Sequence, residues 1–157
     1  RQDNTARQYM SPRTIEGPKE QLYRVPLVRV DIGDEGPQLT EVGTPEWLTE
    51  SFIRKSYGAA PDRLRGFRVS GDAMSGSLQA GDRTRGILWE GESLIDGAIY
   101  VLYSEPGGIV YRRVRFESEK IRLVADHPDM ADRTLKADAW HKRFRPVAHI
   151  LEIVRAI

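Results

Sequence analysis

The chain contains no cysteine, which excludes a disulfide framework, a thiolate nucleophile and any zinc site that relies on sulfur. That suits a reducing cytoplasm, the location we expect. Histidine is scarce: His127, His141 and His149 show no His-Glu-x-x-His or similar ligand spacing, so they are read as surface or capping residues and no metal is expected. Long apolar runs are missing too. Nothing approaches the roughly 20 residues that a membrane-spanning helix needs, and the amino end lacks the basic-then-apolar pattern of a signal segment. A membrane partner is therefore not expected. Nor is there an excess of one charge: 24 Lys and Arg against 23 Asp and Glu leave +1, too little for a global field toward nucleic acid or anionic lipid. Gly71, Gly76 and Gly81 recur five residues apart, but no Gly-Lys-Ser/Thr ending follows to hold a phosphate. No cofactor is expected.

What is present is enough for one core. The 157 residues are 39% hydrophobic and 30% charged, a balance that supports a single folded domain with an appended tail. The chain starts at Arg1 instead of methionine, so we expect a piece of a longer protein. Arg1 to Gln21 are polar, carry Pro12, Gly17 and Pro18, and show no apolar period; residues 1–22 are read as a linker or arm and 23–157 as the domain. Tyr23, Val25, Leu27, Val28 and Val30 alternate loosely with Arg24 and Arg29, which predicts a strand broken by Gly33, Gly36 and Pro37. Thr44-Pro45-Glu46-Trp47 predicts a helix start, followed by Leu48, Phe52 and Ile53 at amphipathic spacing and by Gly58 as a stop. Six further strands are expected at Phe67–Ser70, Arg83–Trp89, Ala98–Tyr103, Ile109–Phe116, Lys120–Ala125 and Pro146–Ala156. The fold class is mainly β, an antiparallel domain with one short early helix. Two basic tracts, Arg112 to Arg115 and His141 to Arg145, are read as solvated strand faces, because the near-neutral total offers no wider basic field.

The stretch Phe67 to Asp82 combines a strand, Gly71-Asp72-Ala73-Met74, and a second Gly-Asp at Gly81-Asp82. It resembles the self-cleaving LexA-type and lambda-type repressors, the UmuD proteins and, more distantly, signal peptidases, in which the turn reads Gly-Asp-Ser-Met. The resemblance continues through Asp96-Gly97-Ala98-Ile99-Tyr100-Val101, Val110-Tyr111-Arg112-Arg113-Val114, Ala125-Asp126-His127-Pro128 and the closing segment from Val147. It covers nearly all of residues 23–157 and implies a LexA and signal-peptidase-like β domain.

In such proteins a serine in that turn attacks a peptide carbonyl, and a lysine about forty residues later takes its proton. The nucleophile's position here is Ala73, and the base position is Arg112, 112 − 73 = 39 residues on. A methyl group cannot attack, and a guanidinium stays protonated, so either change alone should abolish serine-lysine chemistry. Gly71, Asp72 and Met74 are expected to line the cleft. The segment Asp31 to Gly36 is a poor copy of the small apolar bond that self-cleaving repressors present, and Gly76 stands where the family has proline.

The resemblance then implies a non-enzymatic, dimer-forming regulatory domain of a bacterial or phage transcriptional repressor. Homodimers would pair through the last strand, with Ile150, Leu151, Ile153, Val154 and Ile157 at the interface, and operator DNA would be read by a missing helix-turn-helix domain. With cleavage in an SOS response excluded, an antirepressor protein acting on the dimer or on the cleft is the expected input. Arg112 is a candidate to hold a carboxylate, from Asp72 or from Asp34-Glu35. Two other readings stay open: a self-cleaving repressor captured as a Ser-to-Ala variant, and a UmuD-like polymerase accessory protein. Arg112 favours natural loss over the former, since removing activity by design needs only one substitution.

Overall fold

Pro26 divides the first apolar run. It has no N–H to give to a ladder, and the chain on its two sides enters different sheets. In the computed structural model, which describes residues 20–104 and 108–154, β1 (Leu22–Val25) pairs antiparallel with β4 (Glu46–Thr49). After Pro26, β2 (Leu27–Gly33) turns back at Asp34-Glu35 into β3 (Gly36–Glu41), with Gly33 opposite Gly36. The glycines and Pro37 expected to end a strand thus form the turn of a hairpin and the start of its second strand.

The early helix begins later than its sequence predicts. Residues Glu46–Thr49 are extended because β1 takes them as a partner, which lets Leu48 and Tyr23 pack together while Trp47 stays 58% exposed. The cap of α1 (Glu50–Tyr57) is Thr49, not Thr44: its hydroxyl accepts from the Phe52 N–H at 3.2 Å. The stop is as expected, with Gly58 at φ +62 donating its N–H to Arg54 O.

A 3-10 turn (Pro61–Arg63) leads to β5 (Leu64–Arg68) and β6 (Arg83–Leu88), then β7 (Ile99–Ser104), β8 (Gly108–Glu117), β9 (Lys120–Val124) and β10 (Arg133–Lys136). The chain closes through α2 (Ala137–Arg143) and β11 (Phe144–Val154). These strands build a nine-stranded sheet in the order β10-β9-β8-β7-β11-β6-β5-β2-β3. Its pairings are antiparallel except between β2 and β5, so the sheet is mixed. The mainly β class stands, with one correction: α2 is a second helix. It covers seven residues whose cap, Lys136, offers no side-chain bond, and Trp140 alone buries it, so little in the sequence marks it.

Both faces of the central strands are covered. Val101 packs with Val69, Met74 and Tyr111 on one side, whereas Tyr100 and Leu102 pack with Val114, Trp140 and Phe144 on the other. A third cluster joins Ile53 of α1 to Val25, Leu64 and Ile87. Arg85 ties this corner together: it binds Glu46 in a fork at 3.0 and 2.7 Å and also reaches Tyr57 Oη and Glu152. Among the described residues, no helix is long and apolar enough to cross a membrane.

Candidate functional site

The connection from β5 to β6 is a compact turn pinned at its neck, where the Val69 N–H donates to Asp82 O at 2.9 Å and the Gly81 N–H to Val69 O at 2.8 Å. Val69, Met74 and Leu78 sink into the core, and Ser75, Ser77 and Leu78 N–H groups close the turn on Asp72 and Met74 carbonyls. Gly71 sits at φ +77, a left-handed conformation that favours glycine. Buried anchors on both sides thereby leave Ala73 half-buried at the rim.

β8 supplies the facing wall. Ile109 to Arg112 and the turn residue Met130 complete a cleft of about 210 Å³ with Val69, Ser70, Gly71, Asp72, Ala73 and Met74. The positions expected for nucleophile and base, 73 and 112, are therefore brought to one cleft, together with Gly71, Asp72 and Met74. Arg112 is half-buried opposite Tyr100 in the ladder and donates to Tyr111 O at 2.8 Å. Burial pulls its pKa below the ordinary value, yet a guanidinium remains protonated in a protein. Among the described residues it makes no ion pair, so the expected carboxylate contact with Asp72 or Asp34-Glu35 is not formed. Burial also pushes the Tyr111 phenol far above its usual range.

A neighbouring polar network escaped the sequence reading. Arg113 forms an ion pair with Asp126 at 2.7 Å and donates to Gly97 O at 2.8 Å, while the Ser77 hydroxyl donates to Asp126 at 2.5 Å. Burial pushes the Asp126 carboxyl up, but Arg113 and Ser77 outweigh it and hold the group below the usual carboxylate range. The next residue, His127, donates its N–H to Ala73 O at 2.9 Å. Arg113 and Asp126 thus fix the turn that in turn fixes Ala73. Their signal was the Ala125 to Pro128 motif, which carries no distance by itself.

The segment Asp31 to Gly36 contributes nothing to the lining of this cleft. Its hairpin tip instead borders a groove of about 740 Å³, facing His141, Lys142, Arg143 and Arg145 at the junction of α2 and β11. The Arg145 guanidinium lies over Tyr103, 5.3 Å from the ring centroid, and a Cβ at Gly36 (φ +113) would meet it at 2.5 Å.

The expected pairing residues lie in the middle of the sheet, since β11 has β6 and β7 as neighbours. Ile150 is 6% exposed and belongs to the chain's own core. Leu151, Ile153 and Val154 are half-buried, the first two against core clusters. Ile157 lies outside the described residues.

The mainly β, mixed sheet, with the Gly-Asp turn between β5 and β6 set against β8, is consistent with a LexA-like, serine-peptidase-type fold. The model of the Peptidase S24-like family matches residues 26–145, and the chain belongs to that family. No curated protein matches it.

Proposed function

We propose that this chain is the dimerisation and regulatory domain of a bacterial or phage transcriptional repressor, and that its peptidase cleft does not cut. The observation that carries this reading is the pairing of Ala73 with Arg112 across one cleft. Acyl transfer needs a nucleophile and a group that accepts its proton. A methyl offers no proton to remove, and a protonated guanidinium has no lone pair to receive one. What the fold retains is a rigid scaffold. Two-fold pairing, with Leu151, Ile153 and Val154 as the apolar part of the contact, would hold two DNA-reading domains on a palindrome in the cytoplasm. Linking two weak contacts raises affinity through effective concentration, so release of the operator would follow from a partner that disturbs the dimer or fills the cleft.

Ala73→Ser tests the reading directly. The variant is incubated at alkaline pH, alone and with an activated recombinase filament, and followed by mass spectrometry. The chain is expected to stay whole, because Arg112 cannot serve as base. Two stable fragments would establish an active self-cleaving peptidase instead. Sedimentation velocity tests the pairing, with a dimer expected and a monomer at all concentrations refuting it.

A further inference from the structure

We propose that residues 133–145 form a docking face for the phosphate backbone of double-stranded DNA. Five cations fall in this short stretch, Arg133, Lys136, Lys142, Arg143 and Arg145, against one acid, Asp138, and all of them are exposed. Among the described residues none of the five makes an ion pair, whereas Arg63, Arg85, Arg113 and Arg122 each hold a carboxylate. The stretch is basic in a way that the total charge of +1 conceals, although Glu119 lies beside Lys136 and Asp34 and Glu35 face Lys142, Arg143 and Arg145.

Two of the guanidiniums are held without being neutralised. Arg133 lies over Phe144, 5.8 Å from the centroid, as Arg145 does over Tyr103. An aromatic face fixes the plane of the group and leaves its full charge and edge N–H donors available. Trp140, fully buried, roots α2 in the core, so His141, Lys142 and Arg143 stand on a rigid base. The helix dipole favours Lys142 and Arg143 in the last turn. It gives no reason for Arg133, Lys136 or Arg145 on strands. Lys136 even sits directly across from Lys120, a like-charge pair that destabilises the sheet and that a bound polyanion would relieve.

The surface suits phosphates better than a protein partner. Of the large apolar side chains exposed among the described residues, Ile32 alone lines the adjoining groove, whereas protein interfaces rely on buried aromatic or aliphatic anchors. Phosphate contacts need only placed cations and donors. Asp34 and Glu35, exposed and without ion pairs across the groove, would confine the polyanion to the side of α2 and β11. The proposal agrees with a repressor but does not depend on the reading of the cleft.

The test is fluorescence anisotropy of the 157-residue chain with a labelled duplex of about 20 base pairs and arbitrary sequence, across salt. Weak binding is expected, with log K falling against log salt at a slope of about −4, so that affinity drops by about two orders of magnitude between roughly 50 and 200 mM salt. Lys142→Gln with Arg143→Gln, both solvent-exposed, should reduce the slope by about 2, as should Arg133→Gln with Arg145→Gln. Lys55→Gln on α1 should leave it unchanged. Absence of binding at about 20 mM salt, or equal slopes for all variants, would overturn the proposal. So would tighter binding of labelled polyglutamate than of DNA at the same salt, which would assign the face to an acidic protein.

Discussion

Removing the Asp126 carboxylate with Asp126→Ala should destabilise the chain by an amount that its surroundings set. The Arg113 and Asp126 side chains are only 24% and 15% exposed, and the carboxylate accepts from both the guanidinium and Ser77. Breaking a buried pair costs about 3–5 kcal/mol and losing a charge-assisted hydrogen bond about 1.5–3 kcal/mol. Arg113 keeps its bond to Gly97 O and some solvent, which places the loss near the lower figures, about 2–3 kcal/mol. For a domain of this size that corresponds to a fall in melting temperature of roughly 6–10 °C. Urea denaturation at pH 7 gives the free energy and calorimetry the temperature. The pH dependence distinguishes the pair from mere packing. The folded carboxyl titrates below its unfolded value, so its contribution is fully present above the ordinary carboxylate range, near pH 3.9, and is lost as pH falls through the folded pKa. The gap between wild type and variant should therefore narrow in acid. Equal stabilities at pH 7, or a gap that does not narrow as pH falls below the ordinary carboxylate range, would refute the assignment.

Arg85→Ala should cost about 3 kcal/mol in urea, because it strands the mostly buried Glu46 carboxylate and releases Tyr57 and Glu152 together. Tyr111 should be the last phenol to ionise: absorbance titration of the folded chain is expected to leave it protonated beyond the ordinary tyrosine range of about 10. Tyr111→Phe should then remove the unionised fraction from that titration, and an unchanged curve would contradict its burial.

The strands from β5 onward, except β10, were legible because Gly-Asp and Gly turns punctuate short apolar runs, and their bounds moved by only a few residues; β10 (Arg133–Lys136) was not expected, since its four residues are mostly exposed and carry no apolar alternation. Thr44-Pro45 carries the local chemistry of a helix start as well as Thr49 does, and only the claim of β1 on Glu46–Thr49 decides between them. By sequence the hairpin at Asp34-Glu35 reads as a break, since turn residues do not say whether the chain returns to its own strand. In the cleft, the roles of positions 73 and 112 follow from the resemblance to self-cleaving repressors, whereas the Arg113, Ser77 and Asp126 contact joins three separate segments.

The primary sequence alone determined the fold class, the family turn and the chemical poverty of positions 73 and 112, because these depend on residue type and order. Tertiary structure decided which cations are neutralised and which are not. Charge in a sequence is a sum, but attraction falls with distance, so +1 overall coexists with a basic face on α2, β10 and β11. The core also claimed Ile150 from the proposed interface, for burial is settled by neighbours on other strands and not by the residue's own hydrophobicity.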